Sequence, residues 1–482
     1  MNYRMISHYI GRILLVEGIL MFLPAICAVI YGEDTLISFA VTIAALAVTG
    51  AIAIKQKSKK TNIYAKEGYA IVALSWILMS LFGALPFFIS GYVPNFIDAF
   101  FETVSGFTTT GASILNDVEA MPKSLLFWRS FIVWIGGMGV LVFMIAIMPK
   151  TESNAMHVMR AEVPGPTVGK LVSKLRATAR ILYGIYFAFT LIEAVLLLAG
   201  GMPLFDSVAN ALSTAGTGGF SVLSKSIEGY NSLYTEIVMG IFMLIFSINF
   251  NLYYLVIIKQ WKQAVKSEEL RWFIGIVFAS IIIIALSLIN ENYNASYSFR
   301  HAFFQVSSII STAGFSSTNF DTWPVIAKFI LIILMFTGAC AGSTCGGMKL
   351  SRVIVLIKSG FRDIKKAVNP RSIETVKVDK RSIDEPVVKS ISVFFSIYMI
   401  LTAISILLIS LNGKDLVTTS TAVISCMGNI GPGLAEVGPY GSFAGFSNFS
   451  KLVLCFDMLA GRLELIPMLM LFSPYAWARK YS

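Results

Sequence analysis

Charged residues are scarce in this 482-residue sequence: only 13% of its residues are Asp, Glu, Lys or Arg. A typical soluble domain carries roughly 25%, so this chain has too few charges to cover a water-exposed surface. Its 56% hydrophobic residues exclude a disordered chain. Long unbroken apolar runs exclude an outer-membrane β-barrel, whose strands are short and alternate in polarity. The composition therefore predicts an all-α polytopic membrane protein.

Cysteine and histidine are also few, with five and three copies, and they are scattered along the chain. No CxxC pair is present, so neither a zinc site nor a disulfide framework is indicated. The HExxH and GxSxG signatures of common hydrolases are absent as well. We therefore expect no cofactor in this chain and no enzymatic activity.

The apolar runs predict about ten transmembrane helices, since a helix needs about 20 mostly apolar residues to cross a bilayer. The net charge of +11 is concentrated in alternate loops. Because positively charged loops remain in the cytoplasm, this bias indicates orientation rather than nucleic-acid binding, and it places both termini inside. The predicted spans lie near 9–31, 35–54, 69–90, 125–148, 180–200, 233–258, 272–290, 325–356, 389–411 and 450–473.

Four loops on the opposite side carry few basic residues and share a common pattern. Each contains an apolar stretch of about a dozen residues, too short to span a bilayer, followed by a cluster of Gly, Thr and Ser. A re-entrant half-helix is the natural interpretation of such a stretch. The four stretches are 94–106, 203–214, 297–311 and 414–427.

The clusters can be aligned on four glycines, at intervals of 108, 95 and 117 residues: Gly111, Gly219, Gly314 and Gly431. The repeated unit is therefore a span, a half-helix, a Gly-rich strand and a second span. We expect two N-terminal helices followed by four such repeats around one pseudo-fourfold pore. The predicted divisions are 1–66 for the N-terminal helices, then 67–160, 161–265, 266–375 and 376–482 for the repeats.

Gly-rich strands of this kind suit a cation pathway. Irregular backbone at membrane depth is tolerated only where it is buried or lines a watery cavity. Glycine permits positive φ angles, so successive carbonyl oxygens can face one axis and replace the hydration shell of K⁺. Each preceding half-helix would point its partly negative C-terminal end at the same cavity. Helix–helix contact is the alternative for any single cluster, but it does not account for four clusters at equivalent places.

Three Thr-x-Gly loops and a fourth Asn-Ile-Gly loop, set in membrane–pore–membrane repeats, resemble the Trk/Ktr/HKT superfamily of cation transporters. The two extra N-terminal spans and a Gly-rich break in the third repeat are similar to its bacterial TrkH-type branch. The resemblance implies a K⁺ selectivity filter, a homodimer, and control by a cytosolic nucleotide-binding regulatory subunit of the TrkA type. The implied filter residues are Thr109, Thr110, Gly111, Ala112, Thr217, Gly218, Gly219, Phe220, Thr312, Ala313, Gly314, Phe315, Asn429, Ile430, Gly431 and Pro432.

The fourth loop departs most from the others, because Asn429 and Ile430 stand where the other loops have Thr followed by a small residue or Thr. A filter that is not fourfold identical implies weaker discrimination between ions than in a K⁺ channel. In the related plant transporters a Ser at the first aligned glycine accompanies Na⁺ transport, so Gly111 favours K⁺ by analogy.

A second Gly-rich segment, GACAGSTCGGMK at 338–349, interrupts the eighth predicted span. It is not a Walker phosphate loop, because Met348 follows Gly347 where that motif has Lys. A simple helix kink is one interpretation, whereas the resemblance implies an intramembrane loop that gates the pore below the filter. The gate residues so implied are Gly338, Gly342, Ser343, Thr344, Gly346, Gly347 and Lys349, together with Asn249 and Arg462.

Arg462 lies near the middle of the last predicted span, where a charge is costly unless it faces protein or water. Asp457 and Glu464 are close enough in sequence to pair with it, and the resemblance implies a positive charge beneath the filter. Asn249 either lines the cavity, bonds the gate segment or joins neighbouring helices. Structural pairing is expected for three further charged residues within spans, Glu17, Glu193 and Arg129.

These patterns together predict potassium uptake across the bacterial inner membrane through a gated, channel-like pore. The sequence leaves open a symporter that couples K⁺ to H⁺ or Na⁺, and a less selective K⁺/Na⁺ transporter. K⁺ is the expected transported ion, and membrane lipid, a second copy of the chain and the regulatory subunit are the expected partners. The basic segments 149–180 and 349–389 are candidate docking surfaces that suit lipid head groups equally well.

Overall fold

The structure is a computed structural model that describes residues 1–56, 65–139 and 175–477. Regular structure in these ranges is almost entirely helical. The first part of the chain contains α1 (Tyr3–Leu20), α2 (Phe22–Tyr31), α3 (Leu36–Lys55), α4 (Ala65–Gly83), α5 (Leu85–Ile89), α6 (Phe96–Phe107), α7 (Lys123–Gly137), α8 (Leu175–Ala199), α9 (Leu204–Gly216), α10 (Leu233–Ser247), α11 (Phe250–Ile257) and α12 (Trp261–Val265). The second part contains α13 (Glu268–Asn290), α14 (Ala295–Ile310), α15 (Val325–Thr337), α16 (Leu350–Val368), β1 (Lys377–Val378), β2 (Arg381–Ser382), α17 (Glu385–Ser410), α18 (Leu416–Gly428), α19 (Asn448–Arg462), α20 (Ile466–Leu471) and α21 (Pro474–Trp477).

Six helical segments among the described residues are long and apolar enough to cross a membrane. They are Tyr3–Tyr31, Leu36–Lys55, Lys66–Ile89, Ala179–Ala199, Glu268–Asn290 and Glu385–Ser410, and α10 with α11 makes a seventh if the bent pair counts as one span. Large apolar side chains on these helices lie on the outer surface, for example Ile37 (71% exposed) and Leu407 (69%). Lipid tails solvate such side chains as well as a protein core does. The chain is therefore an all-helical polytopic membrane protein.

The four predicted half-helices are present as α6, α9, α14 and α18. They alternate with α7, α10, α15 and α19, and neighbouring helices pack in a closed ring in the order α6, α7, α9, α10, α14, α15, α18, α19 and back to α6. Asn95, Asn294 and Asp415 begin three of the short helices, and each side chain accepts a hydrogen bond from a first-turn amide. The ring brings together the residues that follow the short helices.

The chain turns sharply within three of the predicted spans. The span predicted at 233–258 bends by 91° between α10 and α11, where Asn249 caps the second helix. The span predicted at 325–356 stops at Thr337, because Gly338 has a φ of 61°. The last span, predicted at 450–473, breaks after Arg462, and Glu464 has a φ of 61°. Arg462 is thus a helix terminus rather than the middle of a span.

The segment predicted as a long basic loop at 349–389 is largely ordered. Helix α16 occupies its first half, and the β1–β2 hairpin follows. Arg362 on α16 pairs with Glu385 at 2.6 Å, and Lys358 pairs with Glu268 at the start of α13. Most of the other basic segment, 149–180, and the end of the span predicted at 125–148 lie outside the described residues.

Candidate functional site

The four aligned clusters have the same backbone conformation. Each has one non-glycine residue with a positive φ where its short helix ends: Thr109 (56°), Thr217 (57°), Thr312 (55°) and Asn429 (54°). Each has a glycine with a positive φ two residues later: Gly111 (79°), Gly219 (64°), Gly314 (81°) and Gly431 (102°). Positive φ is uncommon for residues other than glycine, so its recurrence at equivalent places identifies one structural motif used four times.

The four segments contact one another in a closed circle. Each aligned glycine lies against the backbone of the next segment. A Cβ atom placed on it would collide with a carbonyl oxygen of that segment, the one on the residue just before the segment's own aligned glycine. The distances are 2.1 Å (Gly111 to Gly218), 2.0 Å (Gly219 to Ala313), 2.0 Å (Gly314 to Ile430) and 2.7 Å (Gly431 to Thr110). This backbone-to-backbone approach leaves no room for a side chain, which explains glycine at these four positions.

The circle offers oxygen ligands to a cation. Each segment follows the C-terminal end of a short helix, where the partial charge is negative. Within the described parts of the chain, no group of three or more His, Cys, Asp or Glu residues could hold a metal ion. The four segments themselves contain backbone carbonyls and threonine hydroxyls, and such oxygens can replace the water shell of a monovalent cation.

The fourth segment is joined to the first by a side chain. Asn429 donates its amide to Thr110 Oγ1 at 3.0 Å and to the Met458 carbonyl oxygen at 2.9 Å. Thr110 in turn shares a hydrogen bond of 2.8 Å with the Thr108 hydroxyl. Asn429, which makes this segment unlike the others, thus joins the fourth segment to the first, where the glycine-to-carbonyl distance is the longest of the four.

Residues 338–349, which we call the blocking segment after the role that the resemblance implies for them, lie directly against the inner end of the circle. A Cβ atom on Gly346 would be 2.7 Å from the Gly428 carbonyl oxygen and 2.7 Å from Asn429 Cβ. The amide of Gly346 also donates to Thr312 Oγ1 at 2.8 Å. The segment therefore reaches the third and fourth members of the circle.

The bend between α10 and α11 holds one side of the blocking segment. The amide of Cys340 donates to the Ser247 carbonyl at 3.2 Å, and the amide of Phe250 donates to the Gly342 carbonyl at 3.0 Å. Asn249 caps α11 by accepting from the amide of Asn251 at 2.9 Å. A Cβ atom on Gly342 would lie 3.0 Å from Asn249 Oδ1, so the asparagine packs on the segment as well as capping the helix.

Arg462 holds the other side of the blocking segment. Its guanidinium donates to the carbonyl oxygen of Thr344 at 2.8 Å, and to those of Gly136 and Gly137 at 2.6 and 2.7 Å. The sequence offers Asp457 and Glu464 as neighbours that could neutralise it. Asp457 accepts from Ser405 at 2.7 Å, and Glu464 pairs with Arg352. Near the same place, Lys349 Nζ donates to the Cys345 carbonyl.

Glu269 is a contact of the blocking segment that the sequence did not reveal. One of its carboxylate oxygens accepts from the amides of Ala341 at 2.8 Å and Ser351 at 3.1 Å, so it joins residues near both ends of the segment. Its only sequence signal is an acidic residue just before the span predicted at 272–290.

The remaining charged residues of the spans differ in their pairing. Arg129 forms the predicted structural pair, with Glu102, and the Nε–Oε1 distance is 2.8 Å. Glu102 was not predicted, although an acidic residue inside an apolar half-helix is a usable signal. Glu17 and Glu193 are buried and form no ion pair within the described ranges, so the pairing expected for them is not observed.

Comparison with known proteins gives a consistent result. Residues 36–479 match the TrkH family, described as a cation transport protein. Over 99% of its length the chain is 34% identical to the whole of the Trk system potassium uptake protein TrkH of Salmonella typhimurium, and 35% identical to the whole of that of Vibrio parahaemolyticus. It is 33% identical to the Trk system potassium uptake protein TrkG of Escherichia coli, over 99% of both chains.

The fold is similar to a solved structure, the crystal structure of the potassium transporter TrkH from Vibrio parahaemolyticus. The TM-score is 0.90, the sequence identity is 33%, and the match covers 99% of this chain and 100% of that one.

Proposed function

This chain belongs to the TrkH family of cation transport proteins, and from that premise we propose that it takes up potassium ions across the bacterial inner membrane through the circle of four segments. The observation that carries the proposal is the closed set of glycine–carbonyl contacts. Since the relatives are named potassium uptake proteins, the family is one of transporters rather than enzymes.

In this proposal the segments 109–112, 217–220, 312–315 and 429–432 form the selectivity filter. This assignment is supported by the backbone conformation that the four segments share and by the position of each segment at the negative end of a short helix. The segments are not identical, because the Asn429 side chain is used in bonds to Thr110 and Met458. We therefore expect a preference for K⁺ over Na⁺ that is weaker than in a fourfold-identical filter.

The blocking segment is the gate in this proposal. Its contact with Asn429 and Thr312 supports a closed inner end of the pathway. Arg462 and Lys349 add positive charge beneath the filter, which opposes the passage of a cation while the segment is in place. Opening requires the hydrogen bond between Arg462 and Thr344 to break.

We also propose that the chain is divided into two N-terminal helices and four pore repeats, with both termini in the cytoplasm. The distribution of Lys and Arg supports this orientation. A homodimer and a cytosolic nucleotide-binding regulatory subunit are the proposed partners. The basic helix α16 and the β1–β2 hairpin are the proposed docking surface for that subunit, since both follow the gate directly in the chain.

Uptake of radioactive rubidium into liposomes containing the purified chain tests the proposed function. Uptake should follow the rubidium gradient, and external K⁺ should inhibit it more strongly than Na⁺. Equal inhibition by the two ions would refute a potassium-selective filter. A reversal potential that follows the proton or Na⁺ gradient would replace the channel-like mechanism with coupled symport.

A further inference from the structure

A buried ion pair lies behind the first two filter segments. Glu102, in the middle of α6, is 0% exposed, and Arg129, on α7, is 2% exposed. Removing two charges from water is costly, and their mutual attraction offsets that cost only when further hydrogen bonds satisfy both groups. The partners of the two side chains therefore indicate what the pair does.

Glu102 binds the residues that leave the first filter segment. The Ser113 hydroxyl donates to both carboxylate oxygens, at 3.0 and 3.1 Å, and the amide of Ile114 donates to one of them at 3.0 Å. Ser113 directly follows the segment 109–112. The carboxylate consequently fixes the outer end of this segment to the short helix that precedes it.

Arg129 binds the outer end of the second segment. It donates to the Ser221 carbonyl oxygen at 3.3 Å and to Ser113 Oγ at 3.3 Å. Its guanidinium carbon lies 4.1 Å from the centre of the Phe220 ring, a cation–π contact. Phe220 ends the segment 217–220 and Ser221 follows it. One guanidinium therefore contacts both segments, and the Glu102 carboxylate holds it in place.

The equivalent positions of the other repeats carry no charge. Glu102 lies nine residues before Gly111, and the residues nine before the other three aligned glycines are Asn210, Gln305 and Ala422. Arg129 is the seventh residue of α7, and the seventh residues of α10, α15 and α19 are Met239, Leu331 and Leu454. The third segment is held instead by a neutral bond of 2.6 Å from the Ser308 hydroxyl to the Phe315 carbonyl. The Glu102–Arg129 ion pair is thus a feature of the boundary between the first and second segments.

We propose that Glu102 and Arg129 are positioning residues that set ion selectivity by fixing the separation of the first two filter segments. This inference rests on the proposed filter. When the outer ends of both segments are held, their carbonyl oxygens resist closing around Na⁺, which is smaller than K⁺. Support of this kind from behind is how a binding site keeps its geometry to within a fraction of an ångström.

The test compares Glu102→Gln, Arg129→Gln, the double variant and Ser113→Ala with the wild type in liposomes, by the ratio of Na⁺ to K⁺ permeability. We expect Glu102→Gln to raise this ratio about tenfold while K⁺ still passes, because a charged hydrogen-bond acceptor is lost. The double variant should raise the ratio to the same extent, because either substitution already breaks the pair, and it should fold better than the single variants, since it leaves no buried charge unpaired. Ser113→Ala, which removes only a hydroxyl group, should raise the ratio about threefold.

Glu236→Gln is the matched control, because it breaks the Arg300–Glu236 pair of 2.7 Å between α14 and α10, whose two hydrogen bonds run between its own side chains rather than to a filter segment. Its permeability ratio should stay at the wild-type value. If the Glu102 and Arg129 variants fail to fold, Ser113→Ala decides the question. Unchanged ratios in folded variants would overturn the inference and leave the filter proposal intact, whereas a wild type without K⁺ preference would overturn the filter proposal itself.

Discussion

The proposed filter circle and the blocking segment beneath it differ in the contacts that hold them. In the circle, backbone packs on backbone at four glycines, and Asn429 adds a side-chain hydrogen bond between the fourth and first segments. The blocking segment is held by hydrogen bonds to distant parts of the chain, several of them from side chains, among them Thr312, Glu269 and Arg462. Close packing permits one arrangement, whereas hydrogen bonds can be exchanged for bonds to water at small net cost. The circle is suited to a fixed geometry and the blocking segment to motion.

The largest effect is expected from crowding the circle. Gly219→Ala places a Cβ atom 2.0 Å from the Ala313 carbonyl oxygen at a residue with a φ of 64°. The two segments must separate, so potassium flux should fall by about a hundredfold or more. Rubidium uptake measures the change. Gly275→Ala is the control, because its Cβ atom meets nothing within 4 Å and flux should be normal. Wild-type flux in folded Gly219→Ala would contradict a rigid circle.

Removal of the blocking segment should have the opposite effect. The amide of Leu350 donates to the Ala339 carbonyl at 2.8 Å, so the two ends of the segment already meet. Excising residues 340–349 and joining Ala339 to Leu350 should raise flux about tenfold, which corresponds to about 1.4 kcal/mol of barrier. Selectivity should change little, because the filter backbone is untouched. Unchanged flux in a well-folded excision variant would count against a gate at this place.

Loss of the Arg462 side chain should loosen the same segment without removing it. Arg462→Ala breaks one bond to Thr344 and two to the end of α7. We expect the flux to rise about fivefold, and the Na⁺ to K⁺ permeability ratio to change less. Arg271→Ala is the matched control, since Arg271 also donates to backbone carbonyls, those of Ser267 and Lys266, but away from the segment. A change confined to selectivity would argue against this role.

A smaller rise in flux is expected when Glu269, which binds the other side of the blocking segment, is replaced. Glu269→Ala removes the acceptor shared by the amides of Ala341 and Ser351. Loss of these two bonds should raise flux about threefold, as measured by rubidium uptake. Its neighbour Glu268, which pairs with Lys358 instead, provides the control substitution. Equal effects of the two alanine variants would show that charge at this helix end matters, rather than contact with the segment.

The smallest effect is expected on stability, at Asp415, which caps the N-terminus of α18. The Thr418 hydroxyl and the amides of Thr418 and Val417 hold the pKa of Asp415 below its usual range. This cap therefore stabilises α18 above the pKa of the unfolded chain, and the contribution is lost as pH falls toward the lowered folded value. Asp415→Asn should have a lower Tm than the wild type at neutral pH, and the difference should shrink in acid. A difference independent of pH would mean that the charge is not involved.

The elements of the circle could be predicted from the sequence because their signals are local. A short apolar stretch followed by Gly, Thr and Ser marks each half-helix, and repetition aligns Gly111 with its three counterparts. The Gly-rich run at 338–349 also marks its break in advance, whereas the other two breaks within predicted spans have no such signal. Hydropathy runs smoothly through Ile248 and Leu463, and only the backbone shows that the chain turns there.

Long-range partners could not be predicted from the sequence. Spacing offers Asp457 and Glu464 as candidate partners of Arg462, but it gives no sign of the bond to Thr344, 118 residues away. Arg129 likewise reaches Ser221, 92 residues away. Such pairs join different repeats, and although the repeat spacing predicts that the repeats surround one axis, it does not show which side chains of different repeats then meet.

Because one chain supplies all four members of the circle, a mutation alters one quarter of it. In an assembly of four identical subunits the same mutation would be repeated at every position, and a modest fault would be multiplied by four. Here Asn429 and Pro432 occupy a single quarter while three others keep their own residues. Each quarter can therefore be altered separately, by selection or in the laboratory, and its contribution to ion passage can be measured against three unaltered neighbours.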